Sequence, residues 1–432
     1  MPLDSLTSTP STVATAPTAK QETASLLGSA NPADLDYDLV IVGGGLVGLT
    51  LACALKHSGL RIALVEARPE SAAVARGQAY HINLLASRIF AGIGVWEGMR
   101  PQVNPIAQIH LSDANYAGVV QFQVNDLDTE VLGYVAEHRV LLEGLQTFLQ
   151  TCSNVSYLCP AELLHTDYKT DCVELELSQA GRQYWVKTRL VVAADGSRSP
   201  LRQQAGITTS GWQYWQSCVV AFIKPEKPHQ NIAYERFQPD GPFAILPLPD
   251  NICRIVWTAP KAEAEAIASL GEAEFLARLE QRYGQQMGKL SVVGDRSVFQ
   301  VQLMHSRRYT LPRLALIGDA AHCCHPVGGQ GVNLGIRDAA ALAEILQKAH
   351  QQGKDIGSLA VLRRYERWRK PENLLILGFT DLLNRCFSNT LFPLVVLRRL
   401  GLEAMRTTRP VRVLALRLMT GLLGRSLELT QR

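Results

Sequence analysis

At 432 residues the chain is long enough for two or three domains with substantial cores. Hydrophobic residues make up 47% and charged residues 19%, an ordinary folded composition, and a net charge of +4 is too small to argue for a nucleic-acid partner. The nine cysteines are odd in number and scattered without a C-x-x-C, which excludes a disulfide scaffold and reads as reduced thiols in the cytoplasm.

Residues 1–35 are rich in Ser, Thr, Ala and Pro and lack apolar periodicity, so they are expected to form a disordered tail. Asp4, Glu22 and Asp34 without any arginine speak against a transit peptide, and there is no secretory apolar core. The charge-free stretch Leu39 to Leu55 is near the lower limit for crossing a membrane, and three consecutive glycines interrupt it. A strand over Asp38–Val42, a turn and a helix explain it better. Gly43-x-Gly45-x-x-Gly48 fits that turn: Gly43 for the sharp bend, Gly45 for close approach of a pyrophosphate, Gly48 for helix–strand packing. A second strand, Arg61–Val65, ends at Glu66, where an acidic side chain can accept bonds from ribose hydroxyls.

Leu190–Ala194 reads as another strand, ending in Asp195-Gly196, a pair that any strand exit can use. Between 211 and 295 the alternating, aromatic-bearing segments predict antiparallel strands, followed by a helical stretch. Phe243, Leu246, Pro247 and Trp257 are candidate pocket residues there, although aromatics in a sheet more often pack in a core. Tyr234, His229 and His305 could serve as a base, but no spacing favours any of them, so no catalytic residue is assigned.

The stretch "RLALIGDAAHCCHPVGGQGVNLGIRDAAALAEIL" is a strand ending in Gly318-Asp319, a glycine-rich loop and a helix. His322, Cys323, Cys324 and His325 invite three readings: a metal site, a reactive thiol pair, or packing beside a cradle for a flat anion. Four consecutive residues cannot wrap one ion tetrahedrally, and structural zinc ligands come spaced, so no metal is expected. An aspartate at a strand end suits ribityl hydroxyls. A helix N-terminus stabilises the negative edge of a reduced isoalloxazine, so a flavin suits this loop. From 366 onward the pattern is helical, and residues 391–432 carry eight arginines against two glutamates among leucines. Arginines 398, 399, 406, 409, 412 and 417 could meet anionic lipid headgroups, or could form the solvated face of a helical cap.

Together these motifs resemble the single-component FAD-dependent aromatic-ring hydroxylases of the para-hydroxybenzoate hydroxylase type. "GQGVNLGIRDAAALA" and "RGQAYHINLLASRIFAGIGVWEGM" are similar to segments of the ubiquinone-biosynthesis hydroxylases among them. The resemblance implies an α/β fold: a Rossmann-like FAD-binding domain over 36–110, 135–210 and 296–365, an antiparallel-sheet substrate domain over 111–134 and 211–295, and a C-terminal helical region over 366–432. It implies that Gly43, Gly45 and Gly48 hold the pyrophosphate and Glu66 the adenosine ribose. Arg76 and Arg139 would reach the phosphates and ribityl region, and Asp195, Gly318 and Asp319 would border the ribityl chain. Pro326, Gly329, Gly331 and Asn333 would line the isoalloxazine.

The implied activity is hydroxylation of a polyprenylated phenol in quinone biosynthesis, using NAD(P)H and O2 through a flavin C4a-hydroperoxide. A soluble phenol, reduction of prenyl chains, or a non-catalytic FAD-binding role in an assembly are the alternatives. The implied setting is the cytoplasm, at the membrane periphery, with a quinone-biosynthesis complex as a further partner. One G-x-G-x-x-G suits an enzyme whose nicotinamide reductant visits only transiently.

Overall fold

Strands buried on both faces are written as continuous apolar runs, and the first of these, Tyr37–Val42, forms the middle of a parallel sheet. The computed structural model describes residues 35–70, 77–114, 116–284 and 286–431. The expected tail (apart from Leu35) and Arg76 lie outside the described residues. Tyr37–Val42 pairs in parallel with Ile62–Val65 on one side and with Arg182–Ala193 on the other. Leu314–Leu316 joins beyond Arg182–Ala193, and Val155–Leu158 beyond Ile62–Val65. The register sets Val42 opposite both Val65 and Ala193, and Ala193 opposite Leu316. Four strands therefore end in one row. Gly43, Glu66, Asp195 and Gly318 leave the sheet along the same edge, on either side of the point where strand order reverses.

The second sheet has eight strands, in the spatial order His322–Cys323, Leu290–Ser306, Thr209–Pro225, Ile252–Pro260, Phe243–Leu248, Ile232–Phe237, Gln108–Asp113 and Val119–Gln123. Two of them pass the expected domain limits. Leu290–Ser306 runs through 295/296, and Gln108–Asp113 straddles 110/111. Both stay in this sheet because their ladders to Thr209–Pro225 and Ile232–Phe237 are continuous in direction.

Period-two alternation gives this sheet two different faces. Phe243, Ile245, Ile255 and Trp257 point to one side, where they form a core with Ile267, Phe275 and Leu279 of the helices Lys261–Ser269 and Glu272–Tyr283. Phe237, Leu246, Phe222 and Leu111 point to the other, toward the parallel-sheet domain and the C-terminal helices. Of the four candidate pocket residues only Leu246 is therefore on the pocket side. Phe243 and Trp257 belong to the helix-backed core, and Pro247 shares the parity of Phe243.

The C-terminal region forms the helices Leu359–Phe387, Phe392–Thr407 and Arg409–Met419. Two arginines tie it down. Arg398 is buried, pairs with Asp113 at 2.9 Å, and donates to the carbonyls of Cys386, Phe387 and Asn389. Arg412 pairs with Asp126 at 2.9 Å.

Phe243→Ala should lower stability by about 3–5 kcal/mol, the range for truncating a buried aromatic, while leaving the opposite face of the sheet undisturbed. Thermal unfolding together with hydrogen exchange of the strands checks both halves.

Candidate active site

The first glycine motif divides its labour by geometry. Gly43 has φ +112°, and a side chain there would run into the carbonyl of Ala194. A side chain at Gly48 would strike the carbonyl of Gly43. Around Gly45, by contrast, no atom of the described residues beyond its chain neighbours lies within 4 Å of where a Cβ would stand. The helix it opens, Leu46–Ala54, has no side-chain cap and no acidic residue in its first turn, so its N–H groups remain available to an anion. Beside this opening Glu66 is buried. Its Oε2 accepts from the Gly44 N–H at 2.7 Å and its Oε1 from the Arg68 N–H at 2.9 Å. Two amides thus aim a carboxylate that still has lone pairs for ribose hydroxyls. Arg139 stands on the first turn of the helix His138–Leu149, exposed and paired with Glu143 at 3.1 Å.

At the neighbouring strand ends Asp195 accepts from the Leu201 N–H at 3.3 Å through Oδ2, while its Oδ1 is buried without a partner. Burial pushes this carboxyl up, against the opposing pull of Ser199. Asp319 follows Gly318 at the end of its strand and is exposed. Desolvation raises its pKa, with His322 acting in the opposite sense. Gly318 has φ +58°, and Val47 of the first helix fills the space beside it. Arg254 brings a buried guanidinium from the roof sheet. It donates to the Gly77 carbonyl at 3.3 Å, its Nε has no partner, and burial lowers its pKa to about 10.

The glycine-rich loop is held by Asn333. Its side-chain nitrogen donates to the carbonyls of His81 and Gly329, each at 2.8 Å, and its oxygen accepts from the Asn83 N–H at 3.0 Å. The amide group of Asn333 is thereby committed to shaping the loop. Gly329, at φ +62°, leaves room for His81, and its N–H donates to the Pro326 carbonyl at 2.8 Å. Gly331 opens the helix Gly331–Gln351, again without a side-chain cap or an early acidic residue. This is a second free helix N-terminus facing the strand-end cleft.

The two histidines of the His-Cys-Cys-His run are engaged by protein partners. His322 Nε2 lies 2.6 Å from Asp338 Oδ2. His325 accepts from the Val327 N–H at 3.2 Å and packs edge-on against Tyr214, and burial lowers its pKa to about 3. Burial raises both thiols, Cys324 to about 12, so neither is the thiolate that a reactive pair requires. Among the described residues no group of three or more His, Cys, Asp or Glu could hold a metal.

Between this loop, the roof sheet and the C-terminal helices lies a hollow. Phe237, Phe379, Leu383, Phe387 and Met405 make most of it apolar, and Gly328 and Gln330 bring the loop into its wall. Its one ionisable lining group is Glu235. The three candidate bases are not in the lining. Tyr234 points to the helix-backed side beside His110. His229 spends both ring nitrogens in its turn, on the Leu248 carbonyl and the Asn231 N–H. His305 lies against Tyr309, and burial lowers its pKa to about 4.

Residues 36–375 match the family model described as the FAD binding domain. An uncharacterized protein of Synechocystis sp. is 51% identical over 93% of this chain and 97% of its own length. The ubiquinone hydroxylase UbiL of Rhodospirillum rubrum is 38% identical over 90% of this chain and 91% of its own. The chain belongs to the FAD-dependent ubiquinone-biosynthesis hydroxylase family. The fold agrees: p-nitrophenol 4-monooxygenase PnpA of Pseudomonas putida superposes with a TM-score of 0.75 over 90% of this chain and 99% of its own, at 21% identity.

FAD fits this hydroxylase. The open space at Gly45, the two uncapped helix ends and the partnerless Asp195 oxygen are what a dinucleotide with an anionic flavin edge would fill. Three contributors went unnoticed in the sequence. Gly44 aims Glu66, and a visible sign was the run of three glycines. Asp338, in the quoted motif helix, accepts from His322, the Gly318 N–H, Arg369 and Asn373. Glu235 faces the hollow by alternation with Ala233 and Phe237, a parity that the segment "NIAYERF" already carries.

Asp319→Ala should weaken FAD retention about 10- to 100-fold by removing a charge-assisted acceptor at the cleft. Flavin content after gel filtration and a fluorescence titration measure it; full retention would remove Asp319 from the cofactor site.

Proposed function

We propose that this hydroxylase adds oxygen to the aromatic ring of a polyprenylated phenol in quinone biosynthesis, with NAD(P)H as reductant and O2 as oxygen source. The hollow carries this reading. It is walled by Phe, Leu and Met side chains and borders the glycine-rich loop, a lining that suits an aromatic ring with an apolar tail. The name of the Rhodospirillum rubrum relative, a ubiquinone hydroxylase, supports the same substrate class. FAD held here would supply the redox chemistry that activates O2 for transfer to the ring. The chain's own part is to hold the pyrophosphate at Gly45, orient the ribose through Glu66, and keep water from the ring with the aromatic lining.

A polyprenyl tail favours the bilayer by about 0.8 kcal/mol for each buried CH₂, so drawing all of it into water is prohibitive. The enzyme therefore works at the membrane surface. Among the described residues no helix is long and apolar enough to cross a membrane. The helices that wall the hollow do carry exposed apolar side chains on their outer faces, including Phe392, Leu397, Leu400 and Leu414. Exposed Arg406, Arg409 and Arg417 flank them and complement an anionic surface. Arg398 and Arg412, first counted with these, instead hold the helices to Asp113 and Asp126.

Holoenzyme supplied with NAD(P)H, O2 and a prenylated phenol should yield the ring-hydroxylated product with matching NAD(P)H consumption. Oxidation of NAD(P)H that the phenol neither stimulates nor converts to product would overturn the reading. In sedimentation, the protein should follow anionic vesicles at low salt and less so at high salt. Phe392→Ser combined with Leu397→Ser and Leu400→Ser should reduce that binding while FAD is retained. A wild type that ignores anionic vesicles at low salt would leave the C-terminal helices as a cap.

A further inference from the structure

Glu235 lies in the strand Ile232–Phe237, whose alternation turns Tyr234 and Arg236 toward the helix-backed side. Arg236 is held there by the Arg282 carbonyl. Ala233, Glu235 and Phe237 face the hollow. On the neighbouring strands Glu235 stands opposite Leu111 and Ala244, which offer no polar partner. Among the described residues its carboxyl takes no hydrogen bond and no ion pair, and desolvation alone raises its pKa, to about 8.

Among the described residues the other elements around the hollow put no ionisable side chain into its lining, and the buried Arg398, which lies over the lining ring of Phe387, is paired with Asp113. The loop presents Gly328 and Gln330, the long helix Phe379 and Thr380, and the last two helices Met405 and Met419. On its own sheet Cys218, Arg254 and Asp113 are titratable groups of the same face, and Asp113 is taken by Arg398. Burial, with a smaller contribution from Glu235, raises the Cys218 thiol, and none of the three forms a pair with Glu235. A polar group left bare in an apolar lining is costly, and a ligand hydroxyl can offset that cost.

We propose that Glu235 binds the ring hydroxyl of the substrate and takes its proton, as the catalytic base of this pocket. The proposal rests on the hollow being the phenol site. A ring held by this carboxyl lies between the roof sheet and the loop residues Gly328 and Gln330, on the side where the flavin binds. In the step itself the phenol O–H bond breaks, the proton passes to a carboxylate oxygen of Glu235, and the electron pair stays on the ring oxygen. The resulting phenolate makes the ring carbons richer in electrons, which is what ring hydroxylation requires. The base form of a carboxyl with a raised pKa appears only above that value, so the function grows as pH rises through about 8.

The test uses FAD-loaded wild type, Glu235→Gln and Glu235→Asp, with 2-prenylphenol as the probe. Flavin content reports folding, the flavin difference spectrum reports binding of the probe, and product formation across pH gives kcat and KM. In the wild type kcat should rise with pH through about 8 as the Glu235 carboxylate forms, while the bound phenol, whose ordinary value is about 10, keeps its proton until the step itself. In Glu235→Gln kcat should fall about 100-fold with KM little changed and lose the limb that rises through pH 8, and Glu235→Asp should restore part of both. A Glu235→Gln protein that binds the probe and keeps the wild-type kcat and pH profile would overturn the proposal while leaving the pocket reading intact. A probe that binds to neither FAD-loaded protein would overturn the pocket reading, and the proposal with it.

Discussion

The Asp338 carboxylate is the joint on which the cofactor side of this hydroxylase depends. It is fully buried, and burial opposes its ionisation, yet His322 and Arg369 hold it down to about 2. It reaches the end of the strand Leu314–Leu316 through the Gly318 N–H, the motif run through His322, and the long helix through Arg369 at 2.8 Å and Asn373 at 3.0 Å. Arg369 goes on to Glu372, which also pairs with Arg337 and accepts from the Arg425 N–H. One carboxylate thus fixes the position of the Gly-Asp turn relative to both helices behind it. Removing one member of such a buried set typically costs about 3–5 kcal/mol, because the remaining charges are left without partners.

The same joint explains why the roof sheet can be set so closely over the cleft. The short strand His322–Cys323 pairs with Met304 and His305 at the end of Leu290–Ser306. The motif that shapes the flavin loop is therefore itself an edge strand of the roof. The two domains share this hydrogen-bonded seam, and Asn333 and Arg398 add further clasps at the loop and at the C-terminal helices. The hollow is bounded by elements whose mutual positions are fixed by buried polar groups, while its lining stays apolar.

Much of the cofactor half was legible in the sequence because each feature there is local. A strand, a turn glycine and an acidic strand end occupy a dozen residues or so, and their chemistry can be read from their spacing. The parts that escaped depend on partners far along the chain. Asp338 looks like any helix-face acid until Arg369 and Asn373 arrive from the next helix. Arg398 and Arg412 looked like a basic lipid-facing stripe because Asp113 and Asp126 are nearly three hundred residues away. In the roof sheet the strands could be foreseen, but not which parity faces the flavin, and that choice moved Phe243 and Trp257 into a core and brought Glu235 to the hollow. Hydrophobicity alone does not name a face when both faces are buried.

The parallel register described above also bears on how the chain folds as it is made. The strand Tyr37–Val42 gains one neighbour early, at Ile62–Val65, but its other neighbour lies at residues 182–193, and the strand after that only at 314–316. Until those segments emerge, one edge of a strand whose last four residues are all apolar has nothing to pair with. Pairings of such long sequence separation are slow to close and expose apolar edges while they wait. The wall of the hollow comes later still, from helices that begin at Leu359 and end at Met419. A nascent chain of this protein can therefore complete its dinucleotide cradle before it owns a substrate pocket, which makes early cofactor capture the natural way to protect the open edge.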